Sequence, residues 1–376
     1  MKSVMHIISG DLWAGAESQA YIFLKQIHKL RKYSLTAVVF NKGELFDRLN
    51  GEGIKIHLIE EKKFNIVQIF LHLMKLVRDI KPKIIHTHEY KGLILAICVN
   101  MFLRNKARMI RTLHGLTEAP SGIRYLRSRI ALWLDDLALR YFTDCIVAVS
   151  RFIEEYLHEK YPHVKIQQIN NAVDTSEQDL SVNQSVRAVR DSLGISKDMF
   201  WIATAARLVQ VKNIEMLLDA ARLLKNERDM RFVISIFGDG PLKKDLQRKI
   251  DTYGLNDIVL LHGHKANILT IMNAWDIFVL TSKSEGLPMS LLETMSAGVI
   301  PVCTRVGGMK EVIDDKINGF LVETNNYKEL ADTLIIIYHE DENRKQYIKQ
   351  NAMQKINQYY SIDHSVKNLM NMYDNI

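Results

Sequence analysis

Short runs of β-branched and other apolar residues alternate with helical stretches along almost the whole chain. This alternation predicts an α/β fold with parallel sheets, because parallel neighbouring strands need a long crossover, which is usually a helix. The predicted strands are Val4–Ser9, Thr36–Phe40, Ile54–Ile59, Lys83–Thr87, Met109–Leu113, Cys145–Val149, Lys165–Ile169, Trp201–Ala206, Phe232–Phe237, Ile258–Leu261, Ile277–Leu280 and Ile300–Cys303. Helices between them are predicted at Glu17–Leu30, Ile66–Arg78 and Arg124–Tyr141.

The polar stretch from Asn170 to Gly194 divides this pattern into two halves. A chain of 376 residues can hold two ordinary domains, each with its own core. We therefore expect two doubly wound, Rossmann-like domains, residues 1–172 and 173–360, and a final helix in 361–376 that could pack back on the N-terminal domain. Two such domains imply a cleft, with the ligand at the carboxyl ends of the strands.

The net charge of +7 is concentrated in the first half of the chain. Residues 1–172 contain 26 Lys and Arg against 16 Asp and Glu, whereas residues 173–376 contain 24 against 27. A basic half favours an anionic partner; a membrane surface or a phosphorylated acceptor fits this charge, and so does a merely solvated face. Nucleic acid is not expected, because the sequence has no aromatic-interleaved basic motif and no zinc-finger spacing.

The cysteines and the apolar segments indicate the cellular compartment in which the protein is expected. Cys98, Cys145 and Cys303 are widely spaced and each lies in apolar sequence, which predicts buried thiols in a reducing environment. No window reaches about 18 uninterrupted apolar residues, and the N-terminus lacks the pattern of a signal peptide. We therefore predict a cytoplasmic protein.

Two glutamates follow one of the predicted strands, in the segment Ser284-Glu285-Gly286-Leu287-Pro288-Met289-Ser290-Leu291-Leu292-Glu293. Pro288 suits the first position of a helix, so Glu285 would lie on a loop and Glu293 about one turn into the helix. Unpaired N–H groups at such a helix start can bind a diphosphate, and carboxylates beside them can accept hydrogen bonds from sugar hydroxyls. The segment indicates a nucleoside diphosphate sugar site, although its spacing alone fits two solvated glutamates equally well.

Cations and glycines occur at the carboxyl ends of other predicted strands. Arg207 and Lys212 follow one strand and are placed to neutralise a diphosphate. Gly15, after the first strand, would let the backbone approach a ligand at a helix start. The GDGP turn at Gly238–Pro241 lacks the complete GxGxxG pattern and does not predict NAD binding. Each of these features alone also has a purely structural explanation.

Three histidines lie near strand ends in the first half of the chain. His86 and His88 form an H-x-H pair, but alternate strand residues with no third ligand nearby do not predict a zinc site. His114 directly precedes Gly115 at the mouth of the sheet. It could hydrogen-bond a sugar hydroxyl or a phosphate, or it could be structural.

Together these segments resemble one family, the retaining glycosyltransferases of the GT-B fold known as family 4 or group 1. The resemblance extends from about Val4 to Tyr373, and its most specific element is the family's E-x7-E motif, matched by Glu285 and Glu293. The other matched positions are Gly15, His114, Val149–Ile153 (V-S-x-x-I), Arg207, Lys212, Gly238–Pro241, Gly286, Pro288, Gly298, Pro301, Gly307 and Gly308.

The resemblance implies a role for each matched residue. Arg207 and Lys212 would bind the diphosphate, and Glu293 would hold the ribose hydroxyls. Glu285 would bind the donor sugar, and the Leu261–Lys265 turn would lie by the base. The expected catalytic residues are His114, Arg207, Lys212 and Glu285; the expected donor-binding residues are Gly15, Arg207, Lys212, Gly238, His264, Glu285, Gly286, Leu287, Pro288, Met289, Ser290 and Glu293.

The implied reaction moves a hexose or N-acetylhexosamine from a nucleoside diphosphate sugar, with uridine favoured, to a glycan or lipid-linked acceptor of the cell envelope. Family members retain the anomeric configuration, and the donor phosphate itself would accept the acceptor's proton. Cations and a helix dipole would stabilise the departing diphosphate. No Asp-x-Asp occurs at a strand end, so neither a metal nor another cofactor is expected.

Three small residues depart from the family pattern, and other functions stay open. Ala14, Ala172 and Ala206 stand where the family often has glycine, which puts loop detail in doubt. A GT-B-like epimerase would act without an acceptor, and a phosphorylase would need a pyridoxal-bearing lysine and a longer chain. A non-catalytic nucleotide-sugar-binding module is the remaining alternative. Release of nucleoside diphosphate, with and without acceptor, distinguishes these functions.

The segment Ser121–Leu134 mixes arginines with Leu, Ile, Tyr and Trp. This composition predicts an amphipathic helix that could lie on anionic lipid, which would place the protein peripherally on the inner face of the plasma membrane. A core helix with solvated arginines explains the same pattern.

Overall fold

A computed structural model describes residues 1–11, 13–116, 125–175 and 186–376. These residues form two compact units: Met1–Ala172 with Ile362–Ile376, and Val173–Ser361. Each unit contains one parallel sheet with helices between its strands, which confirms the α/β fold predicted from the alternation of strands and helices.

The first unit contains a seven-stranded sheet in the order β3-β2-β1-β4-β5-β6-β7. Its strands are β1 (Lys2–Ile8), β2 (Tyr33–Val39), β3 (Lys55–Leu58), β4 (Ile84–Thr87), β5 (Arg108–Leu113), β6 (Cys145–Ala148) and β7 (Ile166–Gln168). Its helices are α1 (Gly15–Lys29), α2 (Glu44–Gly51), α3 (Ile66–Ile80), α4 (Tyr90–Phe102), α5 (Tyr125–Phe142), α6 (Arg151–Lys160) and, at the end of the chain, α15 (Ile362–Asp374). The strand order reverses between β1 and β4, which makes this the topological switch point.

Local sequence explains several helix boundaries in this unit. Asn65 caps α3 in a capping box with Gln68, each side chain bonding the backbone N–H of the other. In the V-S-x-x-I segment, the Ser150 hydroxyl accepts the N–H of Ile153, whose side chain is buried. This segment is therefore a capped helix start.

The last helix, α15, packs against α1 and completes the core of the first unit. Its buried side chains include Leu369, Met372 and Tyr373. Lys32 Nζ lies 2.5 Å from the Asp374 carboxylate, and Gln26 donates to Asp363 at 2.6 Å. Apolar burial therefore contributes most to this packing, since exposed polar pairs add little.

The second unit contains a six-stranded sheet in the order β10-β9-β8-β11-β12-β13, with its switch point between β8 and β11. Its strands are β8 (Phe200–Ala205), β9 (Phe232–Phe237), β10 (Val259–Gly263), β11 (Ile277–Leu280), β12 (Ile300–Thr304) and β13 (Phe320–Val322). Its described helices are α7 (Val186–Ser192), α8 (Ile214–Leu224), α9 (Lys243–Thr252), α10 (Ile268–Met272), α11 (Met289–Ser296), α12 (Met309–Val312), α13 (Tyr327–His339) and α14 (Glu342–Tyr359).

Two sequence predictions need correction, and one strand was missed. Strand β13 was not predicted, and Pro288 is the cap residue before α11 and not its first helical residue. Cys98 is exposed on α4, whereas the prediction of burial holds for Cys145 and Cys303. Burial raises the pKa of the Cys145 thiol to about 11.

The predicted amphipathic segment falls partly outside the described residues, at Ser121–Arg124. Its remainder forms the start of α5, where Ile130, Trp133 and Leu134 are exposed. None of the helices in the described ranges is both long enough and apolar enough to cross a membrane.

Candidate active site

The switch point of the second sheet holds an ion pair between two of the predicted site residues. Lys212 ends a short 3-10 turn after β8, and Glu285 lies on the loop after the neighbouring strand β11. Lys212 Nζ lies 2.5 Å from Glu285 Oε1, and the Ser282 hydroxyl donates to the same oxygen at 2.5 Å. The two charged side chains are only 20% and 10% exposed, so solvent screens this pair less than a surface pair.

Hydrogen bonds from the Thr281 side chain and from the backbone connect the two loops that carry this pair. The Thr281 hydroxyl donates to the carbonyl oxygens of Lys212 and Asn213, at 3.0 and 2.9 Å. Lys283 donates its N–H to the Val211 carbonyl at 2.8 Å. Since Thr281 is buried, these bonds fix the position of Lys212 relative to Glu285 before any ligand binds.

Gly307 lets a third loop approach Glu285 closely. Its φ of +49° lies in the left-handed region, and a Cβ at this position would lie 1.9 Å from the Glu285 carbonyl oxygen. The next residue, Gly308, donates its N–H to the Gly286 carbonyl at 2.9 Å. The loop after β12 therefore supports the backbone of Glu285, and a side chain at position 307 does not fit there.

Helix α11 places the second glutamate of the motif. The N–H groups of Met289 and Ser290 precede the first intrahelical hydrogen bonds, which run from Leu291 and Leu292 to the Pro288 carbonyl. The side chains of Leu287 and Met289 are buried and anchor the helix start. Glu293 lies one turn further on and is partly exposed. The helix start thus offers the N–H donors and partial positive charge that favour an anion.

The GDGP turn supports the segment that carries Arg207. Gly238 has φ +127°, and a Cβ there would lie 1.9 Å from the Ala206 carbonyl oxygen. Leu208 donates its N–H to the Asp239 carbonyl at 2.9 Å. The Arg207 side chain is exposed and forms no ion pair with the residues that the structure describes.

His264 is exposed on the loop after β10 and lies close enough to Asp239 to act on its charge. The Lys243 ammonium, the Gly240 N–H and His264 lower the pKa of the Asp239 carboxyl. The two predicted donor-site turns therefore lie beside each other.

Gly15 and His114, the other two predicted site residues, belong to the first unit. Gly15 begins α1, and the Ala14 carbonyl before it accepts the N–H of Ser18 at 2.8 Å. His114 follows β5, and its Nε2 lies 3.1 Å from His88 Nδ1. Burial, with a smaller contribution from the Arg111 charge, lowers the pKa of His114 to about 3.

The structure overturns one premise about the H-x-H pair, because a third histidine does lie nearby. His6 of β1 stands opposite His86 of β4, and the ring nitrogens of His6, His86 and His88 all lie within 4.8 Å of one another. Neutral imidazoles at this separation could hold a metal ion. In the described structure these nitrogens instead bond to one another, to Tyr373 and to Thr112 and His114, so a metal would compete with those hydrogen bonds.

Sequence reasoning missed His6, Ser282 and Tyr373 as neighbours of the predicted site residues. The contact of Ser282 with Glu285 could have been predicted from the sequence, because Ser282 lies only three positions before Glu285, at the end of a strand. The sequence does not predict the positions of His6 and Tyr373. His6 lies beside His88 because of the strand order, and Tyr373 lies beside His86 because of the packing of the last helix.

Two Rossmann-like units, each built on one parallel sheet, have the architecture of the GT-B fold, and the paired charges and the helix start lie at the switch point of the second sheet. Two family models match the chain, Glycosyltransferase Family 4 over residues 13–177 and Glycosyl transferases group 1 over residues 185–354. The chain therefore belongs to the group 1, or family 4, glycosyltransferases, as its motifs predicted.

Named relatives and solved structures agree with this assignment. UDP-Gal:alpha-D-GlcNAc-diphosphoundecaprenol alpha-1,3-galactosyltransferase of Escherichia coli is 27% identical over 351 residues, which cover 91% of this chain and 89% of that protein. The capsular polysaccharide biosynthesis glycosyltransferase CapH of Staphylococcus aureus is 25% identical over 320 residues, 83% of this chain and 84% of CapH. Anabaena Alr3699/HepE, solved in complex with UDP and glucose, has a TM-score of 0.84 at 18% identity, with 100% of both chains covered. At that identity the structural similarity is one of fold.

Proposed function

We propose that this glycosyltransferase moves a hexose or N-acetylhexosamine from a UDP-sugar to a glycan or lipid-linked acceptor in cell-envelope polysaccharide synthesis, with retention of configuration. The observation that carries the proposal is the Lys212–Glu285 pair at the switch point of the second sheet, beside the start of α11. In open α/β sheets this is the place where ligands bind. A cation, a carboxylate and free N–H groups match the chemistry of a sugar diphosphate.

In this proposal, charge stabilisation of the leaving diphosphate lowers the barrier. Lys212, Arg207 and the N-terminus of α11 supply that charge, and removal of one such group typically costs about 3 kcal/mol of transition-state stabilisation. Glu285 Oε1 accepts from both Lys212 and Ser282, and Oε2 has no hydrogen-bond partner in the described ranges. Oε2 is then the atom that accepts a hydroxyl of the donor sugar.

Retention in this proposal needs no carboxylate nucleophile. The acceptor hydroxyl attacks the anomeric carbon as the bond to the diphosphate breaks, and its proton passes to an oxygen of the departing phosphate. The carboxylate of Glu285 is engaged by Lys212, which suits a ligand of the sugar better than a proton carrier. We propose that no metal ion takes part, so activity should persist in EDTA.

The proposed uridine nucleotide and the proposed acceptor class are supported by the names of related proteins. The name of the Escherichia coli relative gives a UDP-galactose donor and a lipid-linked diphosphate acceptor, and the HepE structure contains UDP. CapH is named for capsular polysaccharide biosynthesis. These names support a UDP-sugar and an envelope glycan for this chain.

A lipid-linked acceptor would bring the protein to the inner face of the plasma membrane. Trp133 on α5 is 61% exposed and Phe102 on α4 is 70% exposed, and helices α4 and α5 pack against each other. Exposed aromatic side chains on a basic half fit peripheral contact with anionic lipid. Liposome flotation tests this: the protein should float with anionic vesicles at low salt, and a W133S/F102S variant should not.

The decisive experiment is a panel of sugar nucleotides with release of nucleoside diphosphate as the readout. Release that depends on an acceptor supports transfer, and NMR of the product shows whether configuration is retained. Interconversion of the donor without acceptor would instead identify an epimerase. Tight binding with no release from any donor would identify a binding module and overturn the proposal.

A further inference from the structure

A continuous chain of hydrogen bonds links six side chains at the switch point of the first sheet. They come from the adjacent strands β1, β4 and β5 and from helix α15. In order, the members of this histidine chain are Thr112, His86, Tyr373, His6, His88 and His114.

Tyr373 forms the middle of the histidine chain. Its hydroxyl lies 2.6 Å from His86 Nδ1 and 3.0 Å from His6 Nε2. The other nitrogen of His86, Nε2, lies 2.7 Å from the Thr112 hydroxyl. All four of these residues are buried, so solvent does not supply alternative partners.

The histidine chain continues from His6 to the predicted site residue. His6 Nδ1 lies 3.1 Å from His88 Nε2, and His88 Nδ1 lies 3.1 Å from His114 Nε2. At the end, His114 Nδ1 is buried and has no hydrogen-bond partner among the described residues. It is the one ring nitrogen of the chain that is left for a ligand.

Hydrogen bonding permits the histidine chain only two arrangements. Burial lowers the pKa of each of its four imidazoles, which are therefore neutral at pH 7, each with one N–H and one bare nitrogen. The Tyr373 hydroxyl has a single hydrogen, so it donates to His6 or to His86 but not to both. Once this choice is made, every other link follows. His114 Nδ1 then carries a hydrogen in the first arrangement and is bare in the second.

Thr112 selects between the two arrangements. If Tyr373 donates to His6, Thr112 donates to His86 Nε2, and His114 Nδ1–H is the one group of the histidine chain without a partner among the described residues. If Tyr373 donates to His86, the Thr112 hydroxyl must accept from His86, so that both the Thr112 hydrogen and the bare His114 Nδ1 lack a partner in the described structure. The second arrangement therefore leaves one more buried polar group unpaired than the first, at a cost of about 1–3 kcal/mol, which favours the first arrangement by roughly tenfold or more.

We propose that Thr112, His86, Tyr373, His6 and His88 are positioning residues that hold His114 as its Nδ1–H tautomer, so that His114 meets its ligand as a hydrogen-bond donor. The matching ligand group is an oxygen that accepts a hydrogen bond, as in a sugar hydroxyl or a phosphate. The tautomer follows from the hydrogen-bond geometry of neutral imidazoles, and its use in transfer rests on the proposed function.

The direct test is NMR of the full chain labelled with 15N-histidine, since the two ring nitrogens of each tautomer differ widely in chemical shift. His114→Gln identifies the His114 signals. In the wild type we expect Nδ1–H at His114, His88, His6 and His86. In Tyr373→Phe and in Thr112→Val one link loses its donor, neither arrangement is favoured, and His114 should become a mixture of tautomers.

Two substitutions serve as matched controls. Tyr33→Phe removes a buried hydroxyl that bonds Asp374 and Met370 in the α15 interface but lies outside the histidine chain. Thr87→Val removes a buried hydroxyl of β4 that donates to the Ile110 carbonyl. Both should leave the His114 tautomer unchanged.

Three results would overturn the inference. The first is an Nε2–H tautomer at His114 in the wild type. The second is a His114 tautomer that does not change in Tyr373→Phe and Thr112→Val. The third is stoichiometric Co²⁺ binding with visible d–d absorption that His6→Gln abolishes, because a metal would occupy the bare nitrogens.

Kinetics separates this inference from the proposed function. With an active donor and acceptor, Tyr373→Phe should lower kcat by about 5- to 10-fold, the effect of one weakened hydrogen bond, while Tyr33→Phe should not. If no donor yields nucleoside diphosphate, the proposed function fails, and the NMR result still decides the tautomer.

Discussion

Lys212 Nζ and Glu285 Oε1 lie 2.5 Å apart although 73 positions separate these residues in the sequence. The pair joins the loops after two neighbouring strands at the switch point of the second sheet. One contact thus couples the two functions expected here, because the cation suited to a diphosphate also orients the carboxylate suited to a sugar.

Lys212→Ala should abolish most transfer while the protein stays folded. Loss of one charge that stabilises the leaving group should lower kcat/KM by about 100- to 1000-fold. Lys249→Ala is the matched control, since Lys249 is 21% exposed and pairs with Asp219 at 2.9 Å. Steady-state release of nucleoside diphosphate measures both. Equal losses in the two variants would show that the Lys212 effect is one of stability.

Substitution of the two glutamates of the motif should impair different steps, nucleotide binding for Glu293 and sugar transfer for Glu285. Glu293→Ala should mainly weaken nucleotide binding, measured calorimetrically with the nucleoside diphosphate alone, because its expected partner is the ribose. Glu285→Ala should mainly lower kcat, because its expected partner is the transferred sugar. Glu323→Ala removes an exposed pair with Arg305 and serves as control. Unchanged affinity and rate in both motif variants would contradict the roles assigned to them.

Gly307→Ala should disturb Glu285 through the backbone. A Cβ at this position meets the Glu285 carbonyl at 1.9 Å, so the loop must move. Gly254→Ala is the control, because Gly254 also has a positive φ, of +60°, but a Cβ there meets nothing within 4 Å. Both should lose about 1 kcal/mol of unfolding free energy from backbone strain. Only Gly307→Ala should also lose activity at 25 °C, and equal activities would contradict the steric argument.

The first unit should lose stability as the pH falls from 7.5 to 5.5. Burial lowers the pKa of His6 and His114 to about 3 and those of His86 and His88 well below 6.5. Below pH 6.5 the unfolded state therefore binds more protons than the folded state, and each histidine should cost about 1 kcal/mol over this window. Urea unfolding at the two pH values measures the loss.

The Glu89 carboxyl should oppose this loss of stability at low pH and therefore provides a second test. Burial raises the pKa of Glu89 to about 7, so its carboxyl favours the folded state as the pH falls through 7. Glu89→Gln should therefore steepen the loss of stability between pH 7.5 and 5.5. A wild-type unfolding free energy that is flat across the window would contradict the account of the buried histidines.

The regular strands could be predicted because apolar β-branched runs set them apart from the helices. Phe232–Phe237 and Ile277–Leu280 have the same bounds in the sequence prediction and in the structure. The strand Phe320–Val322 could not be found, because three residues after Asn318-Gly319 carry no periodicity. Cys98 was wrongly placed, because most of α4 is apolar and its pattern does not show which side faces solvent.

In the candidate sites, residues of one short segment could be predicted, whereas contacts between residues far apart in the sequence could not. Glu285 and Glu293 are readable because their spacing and the helix start lie in one short segment. His6 could not be connected with His86, because their pairing requires β1 and β4 to be neighbours, and the sequence does not state strand order. Tyr373 was equally hidden, since its contact with His86 depends on where the last helix packs.

The position of α15 has a consequence for synthesis of the protein on the ribosome. Residues 1–172 emerge first, yet their core lacks Met372 and Tyr373 until the whole second unit has followed. The usual order, in which the N-terminal domain finishes first, is therefore reversed, and the nascent first unit keeps apolar surface on α1 uncovered while the second unit is made. A product that stops before the last helix would carry every residue of the E-x7-E motif and still leave His6 and His86 without the tyrosine hydroxyl that bonds both of them.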